Sequence, residues 1–337
     1  MHKFVFFLFF LTVFFNCNSP KNKQNLAYIE LSGFAQGTTW KVIYNDSENI
    51  NYQSEIDSLL ISINKSMSIW DSMSLLSRIN RNEPNVMIDN DLQNVLKSGL
   101  KIGEMTNGAF DITVLPLVDL WGFGLKKKDK VLKSQIDSVL PLVNYRNIAL
   151  ENGIIKKKNP KISIDVNGIA QGYSVDAIAM FLEIRNVQNY LVEVGGELRA
   201  KGVNRTGNLW NIGIDKPTDG SNEMTRDLEL ILQISDISIS TSGNYRRYYI
   251  MDGVKYAHTI NPRTGRPVTH NLLSATVITK DCAWADGLAT AFMVMGVDKS
   301  IEFVKQHNDI EVLLIYTDNE GKYRNYMTDG VKKMIVP

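Results

Sequence analysis

At 337 residues, 44% hydrophobic and 22% charged, the chain can bury a substantial core as one large domain or two closely packed ones. A net charge of +1, with no basic stripe interleaved with aromatics, argues against a nucleic-acid partner. The short runs Lys126–Lys128 and Lys156–Lys158 sit beside turn residues and read as solvated loops.

The N-terminus differs in kind from the rest. His2-Lys3 precedes the almost wholly apolar Phe4–Phe15, followed by Asn16-Cys17. That run is too short to span a bilayer but has the length of a signal-peptide core. A cysteine directly after it, then the polar Asn18–Asn25, reads as a bacterial lipoprotein site, although Phe15 and Asn16 stand where small residues usually precede the cysteine. The expected organisation is a signal peptide over 1–16, a polar tether over 17–26 beginning at a lipidated Cys17, and a folded domain over 27–337. The mature chain would then be exported and anchored at the periplasmic face of a bacterial membrane. Cys282, the other cysteine, has no partner once Cys17 is modified, so no disulfide framework exists.

Ala27–Ser32 and Thr38–Tyr44 read as strands flanking the loop Gly33–Gly37, and Asn51–Ser66 has helical periodicity through Ile56, Leu59, Leu60 and Ile63. Trp70 lies between polar residues in an exposed-looking segment. Leu92–Met105 is a helix stopped by Asn107-Gly108. In Ala109–Gly124, Asp111 and Thr113 precede a proline, and Trp121-Gly122-Phe123-Gly124 is too glycine-rich for a continuous element. Ser134–Leu140 looks helical, and Asn152-Gly153 joins Ile148–Glu151 to Ile154–Lys157 as a hairpin.

Ile162–Leu182 is the organising stretch. Ile162–Val166 alternates like a half-buried strand, and from Asn167-Gly168 the apolar residues Ile169, Tyr173, Ala177 and Phe181 recur every four positions. Gly168 and Gly172 share that spacing, so one face of the helix carries no side chains there. A bare helix start lets a ligand approach the backbone, and its free N–H groups favour an anion such as phosphate. A carboxylate just before that turn, Asp165, implies a hydroxyl to bind or an intervening cation. The plainer alternative is an ordinary βα unit whose glycines allow tight packing.

Tyr190–Val194 is a strand ending in Gly195-Gly196-Glu197, with further strands at Trp210–Ile214, Leu228–Ile234 and Ile237–Thr241. Arg247–Met251 pairs with Val254–Ile260 across Asp252-Gly253, placing His258 near a strand end. After the strand Leu273–Thr279 comes the helix Ala283–Met295, on which Asp286 and Thr290 stand one turn apart. A carboxylate and a hydroxyl so placed are hard oxygen ligands suited to Mg²⁺; the alternative is a threonine bonded back to a carbonyl beside a solvated aspartate. A helix at Lys299–His307 and strands at Val312–Thr317 and Lys322–Thr328 close the chain. Strands joined largely by hairpins and interspersed with helices indicate an α+β fold with a mixed, largely antiparallel sheet.

Seven segments in order carry a family resemblance: Gly37–Trp40; Gly108–Thr113 with Pro116 and Trp121-Gly122; Asp165–Asp176; Val194–Glu197; Thr241–Tyr245; His258–Pro262 with Thr264-Gly265; and Ala285-Asp286 through Thr290. Together they resemble the ApbE family of flavin transferases across about Leu31–Val297. The resemblance implies an enzyme that splits the FAD pyrophosphate, links FMN through its phosphate to a Thr or Ser of an acceptor protein, releases AMP and requires Mg²⁺. It implies Gly168 (through its carbonyl), Asp286 and Thr290 as metal ligands. Cofactor contacts would come from Gln36, Trp70, Ala109, Phe110, Asp111, Asp165, Gln171, Glu197, Thr241 and Ile260, with Trp70 stacking on a ring. The family often has Met at position 36 and Lys at 171, where this chain has Gln36 and Gln171, and losing that lysine removes a charge facing phosphate.

For the acceptor's proton, His258 is the candidate base because its ordinary pKa lies near operating pH, with Asp286 or Asp165 as substitutes. His270 and His307 fall outside the motifs and read as structural. Family analogy points to an acceptor that is a flavin-carrying subunit of a membrane electron-transport complex. Two other functions remain open on sequence: hydrolysis of FAD to FMN and AMP at the same metal site, and a non-catalytic exported flavin-binding lipoprotein, which the Asp286/Thr290 pair disfavours.

Overall fold

Along the central strands successive residues alternate between two cores, one on each face of a single large sheet. In Leu272–Thr279 and Glu311–Thr317, Ala275, Val277, Val312 and Leu314 join the helical core. Their neighbours Ile278, Leu313 and Ile315 join the core on the opposite face. That period of two is what strand geometry requires.

The computed structural model describes residues 27–125, 131–218, 227–244, 248–251 and 254–336. Cys17, the expected signal peptide and the tether lie outside these residues, as does Tyr245. The sheet has eight strands: Ile29–Ala35, Thr38–Asn45, Asn189–Val194, Glu197–Lys201, Ile237–Gly243, Leu272–Thr279, Glu311–Thr317 and Tyr323–Met327. Their spatial order is their chain order, and every neighbouring pair is antiparallel. The expected α+β class holds, with the sheet wholly rather than largely antiparallel among the described pairs.

One face carries the helices Gln53–Met67, Asn90–Met105, Asn167–Ile184 and Cys282–Met295. The other is covered by the hairpin Trp210–Asp215/Leu228–Ile234 and the helix Asp329–Met334, through Trp210, Ile212, Leu232 and Val331. Cys282–Met295 is apolar nearly all round, so it buries on all sides. Its Leu288 and Phe292 are fully buried, each a contribution of about 1.5–3 kcal/mol.

Several sequence expectations shift. The first two strands meet in a two-residue turn rather than a five-residue loop, because Gln36 (φ 55°) and Gly37 (φ 76°) are both left-handed and let the strands run on. Ile162–Val166 is not a strand. Its backbone is held by the Asn80 carboxamide, which donates to the Ile164 carbonyl (2.9 Å) and accepts from the Ile164 amide (2.8 Å). The Asp165 amide donates to the Ile112 carbonyl at 2.8 Å. A side chain and an isolated carbonyl do the work of a neighbouring strand. A short helix, Leu115–Leu120, with Pro116 in its first turn, precedes Trp121–Gly124, which forms no helix or strand, as its glycines led one to expect. Asp329–Met334 was not anticipated.

Candidate active site

Two helices build the site. Gly168, Gly172 and Asp176 share one face of Asn167–Ile184, and Thr290, Asp286 and Cys282 share one face of Cys282–Met295. The two faces meet in opposite order. A Cβ on Gly168 would lie 3.2 Å from Thr290 Oγ1 and 3.2 Å from Phe110 Cε2. One on Gly172 would lie 2.4 Å from the Cys282 carbonyl oxygen and 2.8 Å from Asp286 Cβ. A turn further on, Asp176 Oδ1 accepts the Cys282 amide and Oδ2 the Ala283 amide, each at 2.9 Å. The glycine face is thus filled by a second helix rather than open to a ligand. The tight-packing reading applies to Gly172, while Gly168 lies at the mouth of the contact.

The backbone at Gly168 leaves the helical region (φ −82°, ψ 15°). The Gly172 amide, which a regular helix would aim at the Gly168 carbonyl, donates to Asp286 Oδ2 at 3.1 Å. Burial raises the Asp286 carboxyl to about 7 against the pull of that amide. Beside it Glu197 is also buried, and desolvation together with the Asp286 charge pushes its carboxyl well above the usual range. Glu197 Oε1 accepts from Ser240 Oγ at 3.4 Å, and Oε2 has no hydrogen-bond partner among the described residues. Glu197 therefore lies behind Asp286 in the protein interior. The Cys282 thiol, equally buried, is pushed up by the same desolvation.

The adjoining strand completes the rim. Ser242 Oγ stands 3.4 Å from Thr290 Oγ1. Thr241, one residue earlier, pairs with Thr276 (Oγ1 to Oγ1, 2.8 Å), whose strand neighbour Ile278 belongs to the opposite core. The alternation of the strand puts Thr241 on the face away from Asp286 and Thr290 and brings Ser242 to them. Past Ser242, Asn244 Oδ1 accepts from Thr259 Oγ1 at 2.9 Å. This bond ties His258 and Ile260 to the same end of the sheet. His258 follows the strand Val254–Ala257 and meets Phe123 edge to face, centroids 6.4 Å apart. Ile260 is buried in an apolar cluster with Leu117, Trp121 and Phe123. Trp121 Nε1 donates to the Gly265 carbonyl at 2.7 Å, pinning that cluster to the turn after His258.

The remaining candidates are distributed as follows. Asp111 is buried and fully engaged: Oδ1 accepts from the Thr113 amide (2.8 Å) and hydroxyl (2.6 Å), and Oδ2 from the Tyr145 amide (2.8 Å). Burial raises its carboxyl, and those donors hold it down. Such a carboxylate organises its own loop, an employment that the sequence reading did not foresee. Ala109 and Phe110 are buried beneath the site, with Phe110 against Gly168. Asp165 Oδ1 accepts the Asn167 amide at 2.8 Å, fixing the turn into the helix. Gln36 Nε2 donates to Ser174 Oγ at 2.7 Å, and the Gln171 carboxamide lies over Gly195. Trp70 is 59% exposed, a flat ring available to solvent.

Asp286 and Thr290 on one helix and the Gly168 backbone on the other offer hard oxygens, with Gly168 against the Thr290 hydroxyl and the Gly172 amide on Asp286, a donor set that fits a small divalent cation. Among the described residues no group of three or more His, Cys, Asp or Glu could hold a metal. A Mg²⁺ ion does not need one, because it takes few carboxylates and completes its shell with phosphate and water. Sequence spacing revealed both halves of this arrangement; Ser240 carried no signal, and Ser242 and Asp176 fell within family segments without a role of their own, since their partners are remote in sequence.

The model of the ApbE family matches residues 36–314. A Vibrio cholerae serotype O1 protein named FAD:protein FMN transferase is 36% identical over 328 residues, covering 95% of each chain. A Haemophilus influenzae protein of the same name is 38% identical over 305 residues, covering 86% of this chain and 87% of the other. Among solved structures, the flavin transferase ApbE from Vibrio cholerae aligns with a TM-score of 0.82 at 35% identity, covering 91% of this chain and 99% of that one. A Pseudomonas stutzeri flavinyl transferase ApbE in its apo form aligns with a TM-score of 0.80 at 29% identity, covering 91% and 96%.

Proposed function

The chain belongs to the ApbE family, and from that premise we propose that it is an FAD:protein FMN transferase. In this reaction a Thr or Ser hydroxyl of an acceptor protein attacks the FMN phosphorus of FAD. A new P–O bond to the acceptor forms, the pyrophosphate P–O bond breaks, AMP departs, and the hydroxyl proton passes to a base. The observation that best supports the reading is the meeting of two separate motifs, with Gly168 against Thr290 and the Gly172 amide on Asp286.

Phosphoryl transfer of this kind depends on positioning and charge neutralisation more than on covalent chemistry by the protein. Asp286, Thr290 and the Gly168 carbonyl would hold a Mg²⁺ ion, which when bound would supply charge neutralisation on the pyrophosphate. The two helices fix those oxygens on a rigid scaffold. His258 takes the acceptor proton in this scheme, and its link through Thr259 and Asn244 to Ser242 supports its assignment to the same site. Trp70 offers the flat face on which a flavin or adenine ring stacks.

The apolar run Phe4–Phe15 ahead of Cys17 supports an exported chain with a lipid anchor at the periplasmic face of a bacterial membrane. No helix of the described residues is long and apolar enough to cross a membrane. An acceptor on that side, a flavin-carrying subunit of a membrane electron-transport complex, completes the reading. The test is incubation with FAD, Mg²⁺ and a candidate acceptor. The acceptor is expected to gain the mass of phosphate-linked FMN with stoichiometric AMP. Release of free FMN and AMP beside an unmodified acceptor would replace transfer with hydrolysis, and intact FAD would refute both.

A further inference from the structure

We propose that Asp176 is a positioning residue for the cation site: its carboxylate is the end-stop that sets the register of the two site helices. The inference rests on the transferase reading for its functional consequence, but its geometry stands apart from it. Asn167–Ile184 and Cys282–Met295 touch in three rungs running in opposite directions: Gly168 on Thr290, Gly172 on Asp286, and Asp176 on the amides of Cys282 and Ala283. The first rung sets bare backbone against a threonine and carries no bond, and the second carries one amide-to-carboxylate bond, from Gly172 to Asp286. The third carries two such bonds from one carboxylate to adjacent amides, which fixes position along the helix as well as contact.

The helix Cys282–Met295 has no cap of its own, since its N-cap residue Asp281 makes no side-chain hydrogen bond to it. Two of its orphan amides are satisfied from the other helix by the two oxygens of Asp176. Bonds from amides to a carboxylate are roughly twice as strong as neutral ones. They also place a negative charge at the positive end of the helix. Arg199 Nη1 lies 3.0 Å from Asp176 Oδ1, an ion pair added to a carboxylate that the two amides already hold in place. A slip of one helical turn, about 5.4 Å, would part Gly168 from Thr290 and take the Gly172 amide off Asp286.

The test is Mn²⁺ binding to the full folded domain in the presence of FAD, followed by calorimetry or electron spin resonance, with amide hydrogen exchange at Gly172 as a second readout. Asp176→Asn keeps the shape but loses the charge and one acceptor. It is expected to weaken Mn²⁺ binding by about tenfold, the low end for residues that orient metal ligands, and to lose protection at the Gly172 amide. Arg199→Met removes the ion pair while leaving both cap bonds; it should lower thermal stability with Mn²⁺ affinity held within about twofold. If Asp176→Asn fails to fold, Asp176→Glu, which keeps the charge on a longer arm, should weaken Mn²⁺ in the same way. Wild-type Mn²⁺ affinity in the Asp176 variant, or equal weakening in Arg199→Met, would overturn the proposal. If the parent protein binds no Mn²⁺, the cation reading itself falls. The register is then decided by exchange alone, and unchanged Gly172 protection in Asp176→Asn overturns it.

Discussion

Replacing Gly172 by alanine sets two effects of known size against each other. In a helix interior alanine is favoured over glycine by about 1 kcal/mol. Against that, the new Cβ would stand 2.4 Å from the Cys282 carbonyl oxygen and 2.7 Å from its carbon. Carbon–oxygen contacts settle at about 3.3 Å or more, so the two helices must part by about 1 Å. The obstacle is backbone, which cannot rotate aside as a side-chain tip can. A gap of that width forfeits roughly a quarter to a half of the dispersion attraction across it, and overpacking of this kind costs about 1–3 kcal/mol. The two effects leave a loss of about 0–2 kcal/mol, to which the loss of the 3.1 Å bond from the Gly172 amide to Asp286 adds about 1 kcal/mol more. Gly168→Ala is the contrast: its neighbours stand at 3.2 Å and need to yield only by tenths of an ångström. That variant should keep near-parent stability yet place a methyl beside the Thr290 hydroxyl and slow transfer. Urea denaturation midpoints paired with single-turnover FMN transfer read out both effects. A Gly172→Ala protein as stable and as active as its parent would show the contact to be loose and the reasoning mistaken.

Asp286→Asn should lower the single-turnover transfer rate at saturating FAD by roughly a thousand-fold, because the amide keeps the shape and loses the charge. Thr290→Val should do less, water being able to replace a neutral ligand. Full activity in Asp286→Asn, or indifference to chelator across a Mg²⁺ titration, would refute the metal assignment. Asp111→Ala removes the acceptor of three buried hydrogen bonds and should destabilise by about 3 kcal/mol, seen as a fall in the urea midpoint. An unchanged midpoint with weakened FAD binding would return Asp111 to a contact role. Cys17→Ser should abolish incorporation of labelled fatty acid, and equal labelling of the variant would remove the lipid anchor.

Local chemistry was legible in the sequence, and relations across the chain were not. Asn152-Gly153 forms the hairpin turn as read, with both residues left-handed (φ 50° and 74°), because a two-residue turn depends on nothing outside itself. The spacings Gly168/Gly172 and Asp286/Thr290 each marked a helix face correctly, but their head-to-tail apposition is a tertiary fact. Asp176 looked like one more helical aspartate because its partners lie 106 and 107 positions away. Ile162–Val166 had a strand's alternation without a strand beside it, since the Asn80 carboxamide supplies those bonds. The segment Thr241–Tyr245 does not distinguish Thr241 from Ser242, and only the pairing of Thr241 with Thr276 tells that Ser242 is the one facing the helices.

The unbroken strand order has a consequence for how the molecule comes together in time. Asn45 pairs with Asn189 as an immediate neighbour, so everything between them is one excursion from a single seam in the sheet. Closing so long a loop is only modestly unfavourable at equilibrium, about 0.6 kcal/mol for each doubling of its length. Rate is affected more, because contacts between distant residues must wait for that closure. Gly168 lies within the excursion, whereas Asp286 and Thr290 lie on the helix that follows the sixth strand. The proposed cation site therefore needs both the seam closed and the sixth strand in place. A partly assembled chain holds neither half of it in place, and until the seam shuts, the edge of Thr38–Asn45 is open to pairing with a stranger.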